Sequence, residues 1–416
     1  MNNLKRTGFI TATLFLLFLA ACGGGDDKGG GSLPYKPPIP DPVASISISG
    51  PASGKVGTPS TFYVTVLPTN TNFATDVPPE ANCVKSGNTV TCTPTAMGVY
   101  YVTVITADKS KADTVRFTAF DNDSVNLPPG IGEDGASFSG MNKNGDMLVA
   151  FYDPITKKGK ACVFNVLDDS DFCAPKVPDF ADAGEDIYLF GINDNGDILG
   201  LCDIGYFLFL KAENIYQLLR DYGTETGETS YTGLNNDRLL VGDFADTNGY
   251  SIGFVYNYYS DDFDVIPPHP EADAGVCDNE PPCGTVLTGI NNNGQMVGYY
   301  TDTSAFFHGF IYDSNSNDFI DIWHPDEDSI NIQISGINDD GQVAGHFYSS
   351  DCVKGINCYA SGFVYDDTGG FAPIDHPDAA ANGHGTYVLG ITYDGWITGS
   401  YYDGSNLQGF LLKNIF

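Results

Sequence analysis

The sequence predicts an all-β chain, and three observations support that prediction. One stretch recurs six times between residues 140 and 416, at a spacing of 42 to 56 residues. Polar and apolar residues alternate through residues 43–120. The chain also holds 49 Gly, 27 Phe and 24 Tyr, and aromatic runs bounded by Gly, Asn and Asp are typical of short strands joined by tight turns.

Each copy of the recurring stretch opens with a strand, a tight turn and a second strand. The clearest copy reads G-I-N-N-N-G-Q-M-V-G from Gly289 to Gly298. Asn opens such a turn by binding its own backbone, and Gly three residues later takes the left-handed conformation. The copies begin with Gly140, Gly191, Gly233, Gly289, Gly336 and Gly390.

Two further strands follow in each copy. The third reads H-G-F-I-Y from His308 and the fourth reads F-I-D-I-W from Phe319. Four short strands in each of six units predict a six-bladed β-propeller of four-stranded blades over residues 121–416. The last copy ends after its third strand, and residues 123–128 resemble a fourth strand. We therefore expect residues 123–128 to complete the sixth blade and close the ring.

Two copies depart from the pattern. Arg238 stands where the turn glycine is expected, and a non-glycine residue with a positive φ angle is unfavourable by about 1 kcal/mol. The first copy has Val149 and Ala150 where the others have Gly. The first departure puts the geometry of that turn in doubt, and the second predicts a β-bulge in the first blade.

The N-terminus has the pattern of an export signal. Lys5 and Arg6 precede an apolar core over residues 8–19, which is too short to span a membrane. The run L-A-A-C that ends at Cys22 resembles the lipobox of bacterial lipoproteins. The resemblance implies cleavage after residue 21 and lipidation of Cys22, and Gly23 in place of Asp implies the outer membrane, facing the periplasm or the cell surface. A plain signal peptide with an incidental Cys22 is the alternative.

Residues 22–42 predict a tether, because a Gly-rich stretch is followed by five prolines. Residues 43–120 predict a small β-sandwich, since several alternating strands fit into this length. The run G-V-Y-Y-V-T-V from Gly98 resembles the late strand of bacterial Ig-like domains. That resemblance implies an Ig-like module that serves as a spacer between the tether and the propeller.

The charge of the chain excludes some partners. The 416 residues carry 53 Asp and Glu against 19 Lys and Arg, a formal charge of −34. Loss of the signal peptide removes two basic residues and leaves a charge near −36. Phosphate backbones repel such a protein, so nucleic acid is excluded as a partner. The expected partners are the membrane, through the lipid anchor, and an unknown glycan or protein ligand.

Apart from Cys22, the cysteines predict local disulfides, as expected for an exported chain. Metal binding is the rival interpretation, but no pair has C-x-x-C spacing. Cys202 is left over and is expected to be a buried thiol. The predicted pairs are Cys83 with Cys92, Cys162 with Cys173, Cys277 with Cys283, and Cys352 with Cys358.

Candidate site residues recur in the loops that follow the second and fourth strands, which share one face of a propeller. We expect this rim to point away from the sandwich. Three interpretations stay open: turn-forming Asp with structural His-Pro corners, a ligand rim that could hold Ca²⁺, or catalysis by a His and Asp pair. No other cofactor is expected. The residues are Asp153, Asp203, Asp246, Asp302, Asp403, His269, His324 and His376.

The pattern G-I-N-x-x-G-Q-x-x-G followed by H-G-F, over residues 289–310 and again over 336–363, resembles the HAF-type extracellular repeats of bacteria. The resemblance implies an exported repeat protein and no particular activity. Motifs of Ser hydrolases, zinc proteases and P-loop proteins do not occur. The leading hypothesis is a lipid-anchored propeller that acts as a binding module. The alternatives are a glycan-processing hydrolase or lyase with acidic residues on the propeller axis, and a purely spacing or adhesive role.

Overall fold

The computed structural model describes thirteen ranges, and nearly all of their residues lie in strands or turns. The predicted signal peptide, Cys22, the tether and the predicted closing strand at residues 123–128 lie outside these ranges. The described residues belong to one compact unit. The ranges are 45–69, 71–120, 135–153, 158–167, 171–173, 187–223, 229–273, 283–324, 329–349, 359–368, 370–382, 385–392 and 394–413.

Residues 45–120 form two four-stranded sheets packed face to face. One sheet has the order β1-β3-β6-β5 and the other β2-β8-β7-β4. Alternate residues of β3 and β7 are buried between the sheets, where the rings of Phe62 and Phe117 meet edge to face at 5.4 Å. The strands are β1 (Ser45–Ser49), β2 (Ser53–Lys55), β3 (Ser60–Leu67), β4 (Phe73–Asp76), β5 (Cys83–Ser86), β6 (Thr89–Cys92), β7 (Gly98–Thr106) and β8 (Ala112–Phe120).

Residues 136–413 form consecutive antiparallel sheets, which we number I to VI. Sheets III and IV are linked by a short parallel pairing, and three strands of sheet VI are described. The strands are, for sheet I, β9 (Ala136–Met141), β10 (Asp146–Asp153), β11 (Lys158–Asn165) and β12 (Asp171–Cys173); for sheet II, β13 (Tyr188–Ile192), β14 (Ile198–Cys202), β15 (Gly205–Leu210) and β16 (Ile215–Leu218); for sheet III, β17 (Thr229–Leu234), β18 (Leu239–Ala245), β19 (Tyr250–Asn257) and β20 (Asp262–Val265); for sheet IV, β21 (Cys283–Ile290), β22 (Gln295–Thr301), β23 (Phe307–Asp313) and β24 (Asp318–Ile322); for sheet V, β25 (Ser329–Ile337), β26 (Val343–Ser349), β27 (Ala360–Asp366) and β28 (Gly370–Ile374); and for sheet VI, β29 (Thr386–Ile391), β30 (Trp396–Tyr402) and β31 (Leu407–Lys413). A single helix turn, α1 (Pro377–Asn382), lies between sheets V and VI.

The sheets follow one another around an axis. The first strand of each sheet contacts the first strand of the next, and β29 of sheet VI contacts β9 of sheet I. A side chain at Gly390 would come within 3.3 Å of Gly140. The succession is therefore cyclic, which is the arrangement of a β-propeller. The Asn-x-x-Gly turns lie at one end of the axis, the turn end, and the loops after the second and fourth strands lie at the other, the loop end.

Apolar layers fill the spaces between neighbouring sheets. Between sheets IV and V, for example, Val297 and Ile311 pack with Ile334 and Phe363. The layer between sheets VI and I contains Phe138, with Trp396 and Leu411 packed against it. Burial of such side chains stabilises each contact by about 2 kcal/mol per residue. The hydrophobic effect thus holds every sheet to its two neighbours.

The Gly-Phe pair of the third strand allows close packing on both faces of its sheet. Phe310 and Phe363 are fully buried on one face of their sheets. The glycine before each leaves room on the other face, because a Cβ atom at Gly309 would lie 2.7 Å from Ile334 and one at Gly362 would lie 2.7 Å from Val388. Close sheet packing therefore explains why the motif recurs.

The bulge predicted for the first copy is a general feature. The register between the first two strands shifts in sheet I at Leu148 and Val149, and it shifts at the matching place in the other five sheets of the described part. In sheet IV a Cβ atom at Gly298 would meet the Val286 carbonyl oxygen at 1.9 Å. The recurring glycine accommodates the bulge.

In each of sheets I to V, a buried asparagine stabilises the turn between the first and second strands. In sheet IV, Oδ1 of Asn291 accepts the backbone N–H groups of Asn293 at 3.0 Å and Gln295 at 2.9 Å. Its Nδ2 donates across to the carbonyl oxygen of Asn338 in sheet V at 3.0 Å. The same three bonds recur at Asn142, Asn193, Asn235 and Asn338.

The corresponding residue of sheet VI is Thr392. Its hydroxyl accepts the N–H of Trp396 at 3.0 Å and donates to Asp394 at 2.8 Å. The shorter side chain holds its own turn, while the contact between sheets VI and I depends on apolar packing. We call these six residues the asparagine ring, with Thr392 as its exception.

Arg238 keeps the turn that its sequence position put in doubt. Its φ angle is 57°, and its N–H donates to the carbonyl oxygen of Asn235 at 3.2 Å, as glycine does in the other turns. The guanidinium reaches Asp197 of sheet II at 2.8 Å and also Glu213. The hydrogen bond from the Arg238 guanidinium to the fully buried Asp197 is the main cause that raises the pKa of Arg238. Arg238 therefore keeps the turn geometry and adds an ionic contact between sheets III and II.

The cysteine predictions are confirmed in part. Cys83 and Cys92 form a disulfide between β5 and β6. Cys162 is also disulfide-bonded, and its partner in the strand register is Cys173. Cys202 is buried and is not in a disulfide. Cys277, Cys352, Cys358 and the side chain of Cys283 lie outside the described residues, so their pairings stay predictions.

The sandwich packs against the loop end of sheets V and VI. Phe120, the last residue of β8, lies 5.7 Å from Phe410 and 4.7 Å from His376, measured between ring centroids. Lys55 forms an ion pair with Asp378 at 2.6 Å. Arg116 donates to the carbonyl oxygen of Pro373. Apolar, ionic and hydrogen-bonding contacts thus join the sandwich to the propeller.

His346 is a buried titratable residue of sheet V. Its ring lies near Tyr348 and Tyr387, at 5.8 and 5.1 Å. No hydrogen-bond partner for its Nδ1 occurs among the described residues. Burial lowers the pKa of His346 to about 4, so the folded chain keeps this ring neutral where an unfolded chain would protonate it.

We expect Asn291→Ala to lower the free energy of unfolding by about 2 kcal/mol, because two N–H groups and one carbonyl lose a partner. Thr392→Asn should raise it by about 1 kcal/mol by supplying the missing bond between sheets VI and I. Urea unfolding measures both changes. Asn248→Ala, in an exposed turn, is the control. Equal effects of Asn291→Ala and Asn248→Ala would contradict this role.

His346→Phe should weaken the acid sensitivity of the fold. The wild type loses stability as the pH falls from 6.5 to 4, by about 3 kcal/mol from this residue alone. Burial raises the pKa of Asp243 and of Asp375 to about 6, and these two groups act with the opposite sign over the same range. Unfolding curves of both proteins at pH 7, 5.5 and 4.5 isolate the His346 contribution. Parallel pH profiles would show that it is absent.

Candidate functional site on sheet IV

The predicted Asp residues at the loop end mostly hold their own turns. Oδ1 of Asp246 accepts the N–H groups of Asn248 and Tyr250 at 2.8 and 2.9 Å, and Asp403 accepts two N–H groups at 2.8 Å. Hydrogen bonds from these backbone groups are the largest cause that lowers the pKa of both carboxyls. Asp153 forms an ion pair with Lys160, and Asp203 lies exposed in its turn.

His269 and His376 occupy equivalent buried corners. His269 stacks on Tyr300 with ring centroids 3.8 Å apart, and His376 stacks on Tyr401 at 3.6 Å. The backbone N–H of His269 donates to Oγ1 of Thr285 at 2.8 Å, and His376 makes the same bond at 2.9 Å. These contacts fix the loop that leads into the next sheet.

The same corner occurs without histidine. Tyr222 stacks on Phe244 at 4.0 Å, and its N–H donates to Oγ1 of Thr229 at 2.9 Å. His324 lies against Phe347 and Phe371, at 4.1 and 4.9 Å. An aromatic ring is the common requirement of the corner, which supports the structural interpretation of these histidines.

The prediction that the rim points away from the sandwich is wrong at sheets V and VI. Phe120 packs against His376, and Lys55 pairs with Asp378 two residues further on. The reason is that β8 ends beside the loop after β28, so the sandwich covers part of the loop end. His376 is 4% exposed and is unavailable to a ligand.

On sheet IV, the corner is extended into a larger cluster. Sheet VI has Asp378, Tyr401 and Asp403 at the places of Glu271, Tyr300 and Asp302, but Gln408 at the place of His308. The ring of Tyr300 lies between His269, at 3.8 Å, and His308, at 5.1 Å. Trp323 lies 5.3 Å from His308, and 56% of its surface is exposed. Three stacked rings thus end beside an indole that faces solvent.

Three carboxylates surround these rings. Nε2 of His308 lies 3.0 Å from Oδ2 of Asp302, and Nε2 of His269 lies 3.1 Å from Oδ1 of Asp321. The Tyr300 hydroxyl donates to Glu271 at 3.4 Å. The sheet IV cluster therefore comprises His269, Glu271, Tyr300, Asp302, His308, Asp321 and Trp323.

Burial perturbs the titration of this cluster. It raises the pKa of Asp321 and of Tyr300, and it lowers the pKa of His269. At Asp302 burial also works to raise the pKa, but hydrogen bonds from the Phe306 N–H and from His308 outweigh it, and the pKa is lowered. Perturbed groups that cluster at a surface are a feature of functional sites.

The fold does not require His308 or Asp321. The residue before Gly-Phe is His308 in sheet IV, but Ile, Ser or Gln in sheets III, V and VI. Asp321, which pairs with Phe310, is replaced by Val265 in sheet III and Pro373 in sheet V. Since the other sheets fold without them, these side chains point to a specific role.

Of the eight predicted site residues, the structure brings Asp302 and His269 together. Sequence reasoning missed Glu271, Tyr300, His308, Asp321 and Trp323 as site residues. Comparison of the copies position by position carries the signal, because His308 and Asp321 differ in chemistry from their counterparts. Their convergence with Trp323 depends on how three strands and a loop meet.

A second polar region lies at the turn end, where a cavity of about 100 Å³ is lined by the asparagine ring. Its carboxylates are Asp194 and Asp339. Burial works to raise the pKa of Asp194, but hydrogen bonds from Asn236 and Lys143 outweigh it, and the pKa is lowered. A general acid needs the opposite shift.

In the described part of the chain, no group of three or more His, Cys, Asp or Glu side chains is arranged to hold a metal ion. Three of the loop-end carboxylates, Asp246, Asp302 and Asp403, already accept backbone N–H groups. Binding of Ca²⁺ stays a prediction.

Comparison with known proteins gives likenesses of fold. No protein-family model matches the sequence, and neither does any curated protein. The β-propeller domain of the Trilobed protease from Pyrococcus furiosus is similar at 9% identity and a TM-score of 0.38, over 88% of this chain and 95% of that one. A quinoprotein alcohol dehydrogenase-like protein from Bacteroides thetaiotaomicron is similar at 10% identity and a TM-score of 0.27, over 87% and 93%. A prolyl endopeptidase is similar at 11% identity and a TM-score of 0.38, over 86% and 54%.

Proposed function

We propose that this protein is an extracytoplasmic lipoprotein whose β-propeller is a binding module, with its ligand seat at the sheet IV cluster. The observation that carries the proposal is the exposed Trp323 beside His308, which stands where the other Gly-Phe strands have Ile, Ser or Gln and which the turn residue Asp302 orients. Binding sites combine an apolar platform with a few oriented polar groups, and this cluster has both.

The proposed chain has four parts: a signal peptide at residues 1–21, a tether at 22–42, an Ig-like sandwich at 43–120, and a six-bladed propeller of HAF-type repeats at 121–416. Each of sheets I to VI is one blade. Residues 123–128 supply the fourth strand of the sixth blade. The position of the flanking residues supports this, because Phe120 packs on Phe410 and Gly135 lies beside Leu407, both in β31.

The proposed anchor is a lipid on Cys22, which places the protein at the outer membrane, on its periplasmic or surface side. Several acyl chains would hold it firmly. No helix in the described ranges is long and apolar enough to cross a membrane. The formal charge of −34 supports a ligand other than nucleic acid.

The alternative, a glycan-processing hydrolase or lyase, requires acidic residues on the propeller axis with at least one raised pKa. The axial cavity offers Asp194 and Asp339, and the pKa of Asp194 is lowered. In the cluster, the carboxyl whose pKa is raised is that of Asp321, and it lies off the axis on the fourth strand of sheet IV. A binding module is therefore the better supported proposal.

Cys22→Ser should move the protein from the membrane fraction to the soluble fraction, because the residue that would carry the lipid is lost. Fractionation of cells that express each form, followed by extraction with Triton X-114, measures the partition. A Ser32→Cys variant, in the tether, controls for the cysteine count when it is combined with Cys22→Ser. A variant that stays in the detergent phase would overturn the proposed anchor.

The binding role is tested with a labelled form of residues 43–416 on an array of glycans and envelope proteins, with and without Ca²⁺. We expect retention of at least one class of ligand, and loss of that retention in Trp323→Ala. Tyr188→Ala is the matched control, because Tyr188 is an exposed aromatic residue, at 48%, on sheet II. Absence of retention in both conditions, or equal retention by the two variants, would overturn the proposal.

A further inference from the structure

We propose that the sheet IV cluster binds an uncharged sugar ring of a glycan, with the ring stacked on Trp323. This inference rests on the proposed binding function and names the chemical class of the ligand. It excludes acidic sugars such as uronates and sulfated residues.

Trp323 is the exposed apolar part of the cluster. An indole exposed to 56% leaves apolar surface in water that a ligand can cover. The neighbouring His308 ring is inclined at 58° to it. The two rings form an angled surface with one open side, which suits a flat ligand with an apolar face and polar edges, as a pyranose ring has.

The orientation of His308 is fixed by Asp302. The backbone N–H groups of Ser304 and Phe306 donate to Oδ1 of Asp302 at 2.8 and 3.0 Å, which fixes this carboxylate. Oδ2 of Asp302 then accepts the proton of His308 Nε2 at 3.0 Å. In the neutral ring the other nitrogen, Nδ1, is a hydrogen-bond acceptor, and no partner for it occurs among the described residues.

The cluster has more hydrogen-bond acceptors than donors. Glu271 is exposed, and among the described residues its carboxylate accepts a hydrogen bond from the Tyr300 hydroxyl alone, at 3.4 Å. Asp321 and Asp302 add further acceptor oxygens. Among the described residues, no Lys or Arg side chain pairs with a carboxylate of this cluster. A ligand at this site must therefore supply the hydrogen-bond donors, and hydroxyl groups are such donors.

The lack of a basic partner for these carboxylates in the described part of the chain also sets the charge of the ligand. Three carboxylates within one cluster, on a chain of formal charge −34, repel carboxylate and sulfate groups. An ammonium ligand would be attracted, but the tight recognition of such cations uses several aromatic rings around the charge. One indole with acceptors at its edge fits a ring of hydroxyl groups better.

The chain supplies its own reporter for the test. It contains two tryptophans, Trp323 and Trp396, so Trp396→Phe leaves Trp323 as the sole tryptophan. The full chain is purified in a mild detergent and titrated with maltohexaose, cellohexaose, chitohexaose and, as the acidic counterpart, hexagalacturonate. We expect an uncharged hexamer to change the Trp323 fluorescence, and hexagalacturonate to leave it unchanged.

Variants then separate stacking from hydrogen bonding. Trp323→Ala should weaken binding of the uncharged hexamer by roughly tenfold or more, measured by calorimetry. Asp302→Asn should weaken it by roughly fivefold, because His308 loses the carboxylate that orients it. Tyr188→Ala should leave the affinity unchanged. Circular dichroism confirms that each variant is folded.

The outcomes distinguish the two proposals. Binding of an uncharged hexamer that depends on Trp323 supports both. Binding of hexagalacturonate, or binding of a protein ligand alone through Trp323, overturns the sugar class and leaves the binding module intact. If none of the four hexamers changes the Trp323 fluorescence, the sugar class is rejected, and if array retention is also absent, the proposed function is rejected with it.

Discussion

The asparagine ring is the interaction on which the rest of the structure depends. Each asparagine shapes its own turn with Oδ1 and reaches the carbonyl of the next sheet with Nδ2. One residue therefore sets a local conformation and the relative position of two sheets. Because the side chain is buried with all its polar groups paired, its loss would leave several unsatisfied groups at the axis. Thr392 interrupts the ring at the junction of sheets VI and I, where apolar packing takes over.

In the rest of the propeller, residues that recur in the sheets and residues that differ between them have different explanations. The Gly-Phe pairs and the aromatic corners recur because each sheet must pack against two neighbours, and the bulge glycines recur because a side chain there would meet a carbonyl of the same sheet. These residues explain the fold and give no information about a ligand. The sheet IV cluster differs, because His308, Asp321 and Trp323 replace residues of other chemistry at equivalent positions. In a repeat protein, comparison of one sheet with the others thus shows which residues the fold alone requires.

The position of the sandwich limits where a ligand can bind. It covers the corner at His376 and contacts sheets V and VI through Phe120 and Lys55. The sheet IV cluster keeps its exposed indole, so the loop end presents one covered sector and one open sector. Burial shifts two pKa values in opposite directions in the covered sector, lowering that of His376 to about 4 and raising that of Asp375 to about 6.

The sequence by itself determined the all-β class, the repeated sheets, the position of each turn and the Cys83–Cys92 disulfide. These features depend on residues close together in the chain, whose backbone preferences and alternation are local. It left three interpretations open for Asp at the loop end and His before Pro, of which the structural role was one. Only the tertiary structure decided that Arg238 pairs with Asp197, that the sandwich covers His376, and that His269, His308 and Trp323 converge. Those contacts join residues from different strands and sheets, and they depend on which side chains face each other across an interface, which local sequence patterns do not encode.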